Sequence, residues 1–247
     1  MKKIFYVAIC IMACLVSCEE KELVSPKNPT TDNPRTDNPT TDNPTIEEPV
    51  TEENGHAYVD LGLSVKWATC NVGASKPEEY GDYFTWGETK PKSTYSYNTN
   101  KWNKGGNGYT KYCFDYRSGY NGFVDNKRTL DLSDDAARAN WGGSWRMPTM
   151  EEQCYLFLCC SWEWTTQNGV KGYKVTSRNN GNSIFLPAAG YRYDSSLKEA
   201  GSLGYYWSNG LIRRFSSRAY CMCFYSSNVE SGDELRFFGL TVRPVCP

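Results

Sequence analysis

The sequence predicts an α+β domain: mostly antiparallel strands, two short helices and long loops. Three observations predict it. Short runs of alternating apolar and polar residues recur, bounded by Gly and Asn, and alternation is the signature of a half-buried strand. Only two helix-start signals are present, at Ser133 and at Thr149. Residues 90–129 are rich in Tyr, Asn, Gly and Lys and carry neither periodicity, and a connection of that length usually serves function.

The chain opens with Lys2 and Lys3, followed by an apolar run from Ile4 to Val16. This is the pattern of a secretory signal peptide, too short for a spanning helix. Residues 1–18 are therefore read as a signal segment. Leu15-Val16-Ser17-Cys18 resembles the bacterial lipobox, which implies that Cys18 becomes the lipid-bearing first residue of the mature chain. Acyl chains contribute about 0.8 kcal/mol per buried methylene, so they anchor a protein without a transmembrane helix. Glu19, Glu20 and Glu22 resemble the acidic tag that sends some bacterial lipoproteins to the outer face of the outer membrane. The expected location is that membrane, lipid-anchored and facing outward.

Residues 19–54 read as a disordered tether. Thr-Asp-Asn-Pro recurs at 31–34, 36–39 and 41–44. Such residues bury nothing, so the segment cannot offset its own ordering entropy. Extended at about 3.1 Å per residue, it reaches on the order of 100 Å at most. The tether carries ten acids against three bases, leaving 22 bases and 18 acids in residues 55–247. That balance is too weak for a nucleic-acid partner. Residues 55–247 suffice for one domain with a real core, expected to be monomeric.

Within the domain, Val59, Leu61, Leu63, Val65 and Trp67 alternate, so 57–69 reads as a strand or strand pair with Gly62 at the turn. Residues 81–87 read as a short aromatic strand. Ser133 is expected to cap a short helix, with Asp134 and Asp135 at its positive end. Thr149 and Glu152 form a capping box for a helix running to about Cys160. Its buried face is expected to hold Cys154, Phe157, Leu158 and Ser161. Gly172–Arg178 and Ser183–Leu186 flank an Asn-Gly turn, the strongest short-range hairpin signal. The last strand is expected over Gly239–Val245.

Residues 204–245 hold the most informative stretch. Tyr220, Met222 and Phe224 alternate with Cys221, Cys223 and Tyr225. In a strand the first set would face a core and the second would face outward. Arg213, Arg214, Phe237 and Phe238 flank it, alongside acids. Aromatic, Arg and small polar side chains together supply area, charge and adaptable hydrogen bonds, as a recognition surface requires.

Catalytic signatures are sparse. The only histidine, His56, sits at the tether boundary, a poor place for the positioned base of a Ser or Cys nucleophile. Eight cysteines follow Cys18, at 70, 113, 154, 159, 160, 221, 223 and 246. Disulfides are open to an exported protein, but spacing does not fix a pairing. The cysteines lack the paired spacing and His partners of a zinc site. No catalytic residue, metal or cofactor is assigned. The eight tryptophans read as core pillars, with Trp67, Trp145 and Trp207 in the family-like stretches described next.

Six ordered stretches carry a family resemblance: Val59–Thr69, Tyr80–Glu88, Gly142–Thr149, Asn182–Gly190, Tyr206-Trp207-Ser208 and Val242–Val245. Together they resemble the FISUMP (major paralogous domain) type of bacterial surface lipoprotein. The resemblance implies a C-type-lectin-like fold over nearly all of 57–247. Residues 204–238 also resemble the variable segment of targets of diversity-generating retroelements, in which mutagenesis of AAC-type codons rewrites a binding surface. Leu211, Ile212, Arg213, Arg214, Cys221, Cys223, Tyr225, Phe237 and Phe238 are reachable from such codons, and Glu230 and Glu234 depart from the pattern. The resemblance implies a non-enzymatic binder of an extracellular protein or glycan. The expected contact residues are Leu211, Arg213, Arg214, Cys221, Cys223, Tyr225, Phe237 and Phe238. Two other readings are carried: a structural or adhesive envelope component, and a copper-dependent oxidase using Cys221 and Cys223, as in formylglycine-generating enzymes of the same broad fold. Calcium-dependent sugar binding has little footing, since Trp207-Ser208-Asn209 keeps only part of the lectin Trp-Asn-Asp stretch.

Overall fold

The computed structural model describes residues 51–247. The signal segment, Cys18 and the tether through residue 50 lie outside them. The strands are β1 (Glu52–Glu53), β2 (His56–Val59), β3 (Lys66–Ala68), β4 (Phe84–Thr85), β5 (Cys160–Gln167), β6 (Val170–Ser177), β7 (Ser183–Pro187), β8 (Tyr191–Tyr193), β9 (Ser196–Lys198), β10 (Leu203–Leu211), β11 (Arg218–Tyr225), β12 (Asn228–Leu235), β13 (Gly239–Leu240) and β14 (Val245–Cys246). The helices are α1 (Ala136–Trp141) and α2 (Met150–Cys159). Every pairing between these strands is antiparallel. The α+β class with a mostly antiparallel sheet is what the periodicity predicts.

Four small sheets form, in the orders β1-β2-β3-β14, β10-β11-β12, β4-β13-β8-β9 and β5-β6-β7. The first joins the two ends of the domain, because Val245 pairs with Trp67. It also moves the domain boundary. Glu52 and Glu53, expected in the tether, pair with Ala57 and His56. The Glu53 carboxylate accepts from the Ser144 amide and hydroxyl, both at 3.0 Å, and its carbonyl accepts from the Trp145 indole at 2.7 Å. His56 is therefore fixed in a strand rather than on a loose joint. It stacks on Trp141 at 3.9 Å, and burial lowers its pKa.

Among the described residues two large cores and a small cluster of Tyr83, Tyr95 and Ala189 fill the interior. One gathers Trp86, Tyr112, Trp141, Trp145, Trp207, Leu211 and Cys221. The other gathers Trp67, Leu156, Tyr173, Tyr206, Met222 and Phe224. Trp67, Trp86, Trp145 and Trp207 are fully buried, as pillars should be.

The Thr149–Glu152 capping box forms as predicted, with reciprocal bonds of 3.1 and 2.8 Å. Arg146 adds a bidentate clamp on Glu152 at 2.6 and 2.8 Å. The face of α2 differs from expectation. Gln153 and Leu156 are the buried positions, whereas Phe157 and Leu158 are 45% and 52% exposed. Gln153 decides this by donating to the carbonyls of Tyr206 and Trp207 at 3.0 and 3.2 Å, which rolls the apolar stripe outward. Ser161 lies beyond the helix, in β5. The first helix also starts later than expected. Residues 132–134 form a single 3-10 turn, and Asp135, not Ser133, caps α1 by accepting from the Arg138 amide at 3.0 Å. The expected final strand divides into β13 and β14, which join different sheets.

Candidate functional site

The strand alternation at 220–225 is half right. Met222 and Phe224 are buried on one face of β11, and Tyr225 is 43% exposed on the other. Cys221 belongs to the second face too, yet it is 1% exposed and sits in the core with Trp207, Leu211 and Ala219. Two of the expected contact residues are thereby corrected: Leu211, at 3% exposed, and Cys221 are packing residues. The reason is that β11 is the middle strand of its sheet and both of its faces are covered near position 221. Alternation reports which side a residue takes, not how far the cover on that side extends.

Cys221 and Cys223, the two thiols of the copper reading, stand on one face of β11, Cys221 in the core and Cys223 half-exposed. Burial raises the pKa of Cys221 well above the ordinary thiol value. Burial and then the nearby Glu230 push Cys223 up to about 12. Cys70, Cys113, Cys159, Cys160, Cys221, Cys223 and Cys246 are free thiols. Among the described residues no group of three or more His, Cys, Asp or Glu converges as a metal site. Trp207 and Ser208 serve the core: the Trp207 indole donates to the Phe84 carbonyl at 2.7 Å, and the Ser208 carbonyl accepts from the Trp86 indole at 2.9 Å.

Phe237 and Phe238 have a different setting, created by their neighbours in sequence. Arg236 turns inward at the end of β12 and is fully buried. Its guanidinium lies 4.4 Å from the Tyr109 ring centroid and 5.0 Å from that of Trp86. It donates to the carbonyls of Tyr112 and Ser216 at 3.0 and 3.2 Å. Burial lowers its pKa to about 10, which still leaves it charged at neutral pH. On the other side, Gly239 passes so close to Tyr95 that a Cβ would meet the ring at 2.5 Å. With Arg236 and Gly239 pinned, Phe237 and Phe238 are left half-exposed between them.

They join a chain of rings. Tyr97 meets Phe237 at 6.0 Å, Phe237 meets Phe238 at 5.1 Å, and Phe238 meets Tyr193 at 5.2 Å and Tyr191 at 5.4 Å. Tyr191 then meets Tyr205 at 5.6 Å. All lie in the range of favourable ring pairs. Tyr97 and Tyr193 are 37% and 42% exposed. Tyr205 pairs across the sheet with Cys223, and Cys223 with Glu230, so the half-exposed Cys223 thiol stands beside the end of this ridge.

The remaining expected residues fall into two places. Arg213 and Arg214 are exposed on the turn between β10 and β11, next to the exposed Phe215. The Arg128 guanidinium donates to the Arg213 carbonyl at 3.1 Å. That turn is at the Phe237 end of the sheet, because Arg218 pairs with Leu235. Tyr225 is at the other end of β11, about 24 Å away at about 3.4 Å per residue. The expected residues therefore do not form one patch. Tyr97, Tyr191, Tyr193 and Tyr205 were not expected there, and the Tyr-x-Tyr alternation at 191–193 is the only sequence signal that could have marked them.

Compared with known proteins, the chain matches no family model, no curated protein and no solved structure.

Proposed function

We propose that this chain is a lipid-anchored surface protein with a C-type-lectin-like domain, related to the FISUMP lipoproteins, that binds an extracellular protein or glycan without catalysis. The observation that carries the binding reading is the ridge from Tyr97 through Phe237, Phe238, Tyr193 and Tyr191 to Tyr205. Rigid aromatic side chains on a fixed frame are common interface anchors, a few of which supply most of the binding energy. The sharing of one sheet by the first and last strands of the domain and the loop-rich stretch 90–129 support the fold assignment. The segment 204–238 is proposed as the variable part of the surface, with Cys223, Arg213, Arg214, Phe237 and Phe238 as its exchangeable positions. Tyr225 is a separate, outlying contact.

A paired capture and melting assay tests the ridge on the exported protein, using outer-membrane and host-surface extracts as bait. Phe238→Ala and Tyr193→Ala should each reduce capture by tenfold or more, since central anchors contribute about 2 kcal/mol or more. Tyr193→Ala should leave the melting temperature unchanged. Met222→Ala, by contrast, should lower stability by about 2–5 kcal/mol and leave the affinity of the folded fraction intact. Full capture by both ridge variants would remove this reading.

The structural or adhesive alternative has one observation in its favour, the outward Tyr155, Phe157 and Leu158 of α2. It expects cell-surface attachment to survive loss of the ridge. Anchoring is tested separately. Cys18→Ala should release the domain from the membrane fraction, and wild-type retention of that variant would exclude a lipid on Cys18.

A further inference from the structure

The β5-β6-β7 sheet has two unlike faces. Trp162, Trp164, Tyr173, Val175, Ile184 and Leu186 share the face that enters the core or packs against it. The opposite face carries Glu163, Gln167, Lys174, Ser183 and Phe185, and a cleft of about 260 Å³ opens there. Val59, Thr69 and Pro77 wall it, and Gln167, Lys174 and Ser183 rim it. Phe185 also lines it and crosses over Gly172, where a Cβ would meet the ring at 2.8 Å. A Cβ at 172 would also collide with the Leu186 carbonyl oxygen, so the glycine makes room for both the ring and the neighbouring strand.

The polar rim is available. Among the described residues, Lys174 makes no ion pair or hydrogen bond through its ammonium group, and the Ser183 hydroxyl makes no hydrogen bond within the chain. The walls also carry charge from behind. Arg243 is 1% exposed and among the described residues has no carboxylate partner. It donates to the carbonyls of Thr69 and Phe185 at 2.7 and 2.9 Å, both residues of the cleft wall. Two acids are near. Glu78 is engaged by the Asn168 and Gln167 amides at 2.8 and 3.3 Å. Glu163 is the cross-strand neighbour of Lys174, and among the described residues no ion pair joins the two. The volume lies just under the ~300–1,000 Å³ of drug-sized ligand sites, which suits a single sugar or amino-acid residue.

We propose that this cleft takes one small carboxylate-bearing residue, with Lys174 as its charge partner, Ser183 as a hydrogen-bond donor and Val59, Pro77 and Phe185 as its apolar walls. Two sources offer that chemistry: a uronic acid unit of a glycan and the C-terminal carboxylate of a peptide. The site is independent of the aromatic ridge.

The test is an amide-shift NMR titration of the full exported chain with two probes, glucuronate and N-acetylalanine. At least one should bind saturably, with shifts centred on Lys174 and Ser183, and which of the two binds identifies the source. Its methyl ester should bind tenfold or more weakly. Lys174→Met should lose tenfold or more while keeping the melting temperature, because Lys174 is exposed. Glu163→Gln should tighten binding by removing the competing acid. Phe238→Ala should leave these shifts unchanged, so failure here and failure of the ridge are told apart. Absence of saturable binding by both probes, equal binding of acid and ester, or unchanged binding by Lys174→Met would overturn the proposal.

Discussion

Trp145→Ala should be among the most destabilising single changes in the domain. The ring is fully buried, packs edge-on against Trp141 at 5.0 Å, and donates its indole N–H to the Glu53 carbonyl at 2.7 Å. Truncating a buried Trp costs about 3–5 kcal/mol, from lost burial and the cavity left behind. The Glu53 carbonyl would also lose its indole donor. For a domain of this size, the melting temperature should fall by on the order of 10 °C. The damage should reach the first sheet. Trp145 and Ser144 hold β1, β1 holds β2, and His56 of β2 stacks on Trp141, the neighbour of Trp145. Hydrogen exchange at residues 52–59 should therefore accelerate before that at 218–225. A melt within two or three degrees of wild type would show that Trp145 is not a pillar.

Arg243→Met should be comparably severe, through a different mechanism. The Arg243 guanidinium reaches four acceptors: the Asn71 side-chain oxygen and the carbonyls of Ala68, Thr69 and Phe185, at 2.7–3.0 Å. They belong to the end of β3, the loop after it and β7. One side chain thus ties the N-terminal sheet, the hairpin sheet and the C-terminal segment together. Methionine fills similar volume but donates nothing, and each buried acceptor left unsatisfied costs about 1–3 kcal/mol. Removal of an unpaired buried charge offsets part of this, so about 3–5 kcal/mol of net loss is expected. Arg243→Lys should recover only a fraction, because an ammonium group cannot span acceptors arranged for a planar fork. Chemical denaturation of the three proteins checks the order wild type, Lys, Met. A Met variant as stable as wild type would mean that the four acceptors find water.

Local chemistry was legible in the chain. The Thr149–Glu152 capping box, the Asn-Gly hairpin between β6 and β7, the β2–β3 pair and the burial of Trp67, Trp145 and Trp207 were all readable. Each depends on residues near in sequence or on bulk hydrophobicity alone. Phe237 and Phe238 were marked as surface residues because they flank the 220–225 alternation and fall among the positions reachable from AAC-type codons. Cys221, Leu211 and the face of α2 were not legible. Which face of a strand or helix is covered depends on elements distant in sequence. Gln153 turns α2 only because the β10 carbonyls lie above it. Cys221 is buried only because β10 and β12 flank its strand and the Trp207 core reaches that far. The aromatic ridge needs still more, since its rings come from four separated segments. It exists because the inward Arg236 and the close passage of Gly239 past Tyr95 fix the backbone between them. Sequence determined the fold class, the local signals of capping box and hairpin turn, and the inventory of rings and charges. Tertiary structure alone decided which of them share a surface, because long-range packing and buried polar bonds, not local propensity, choose the face each element buries.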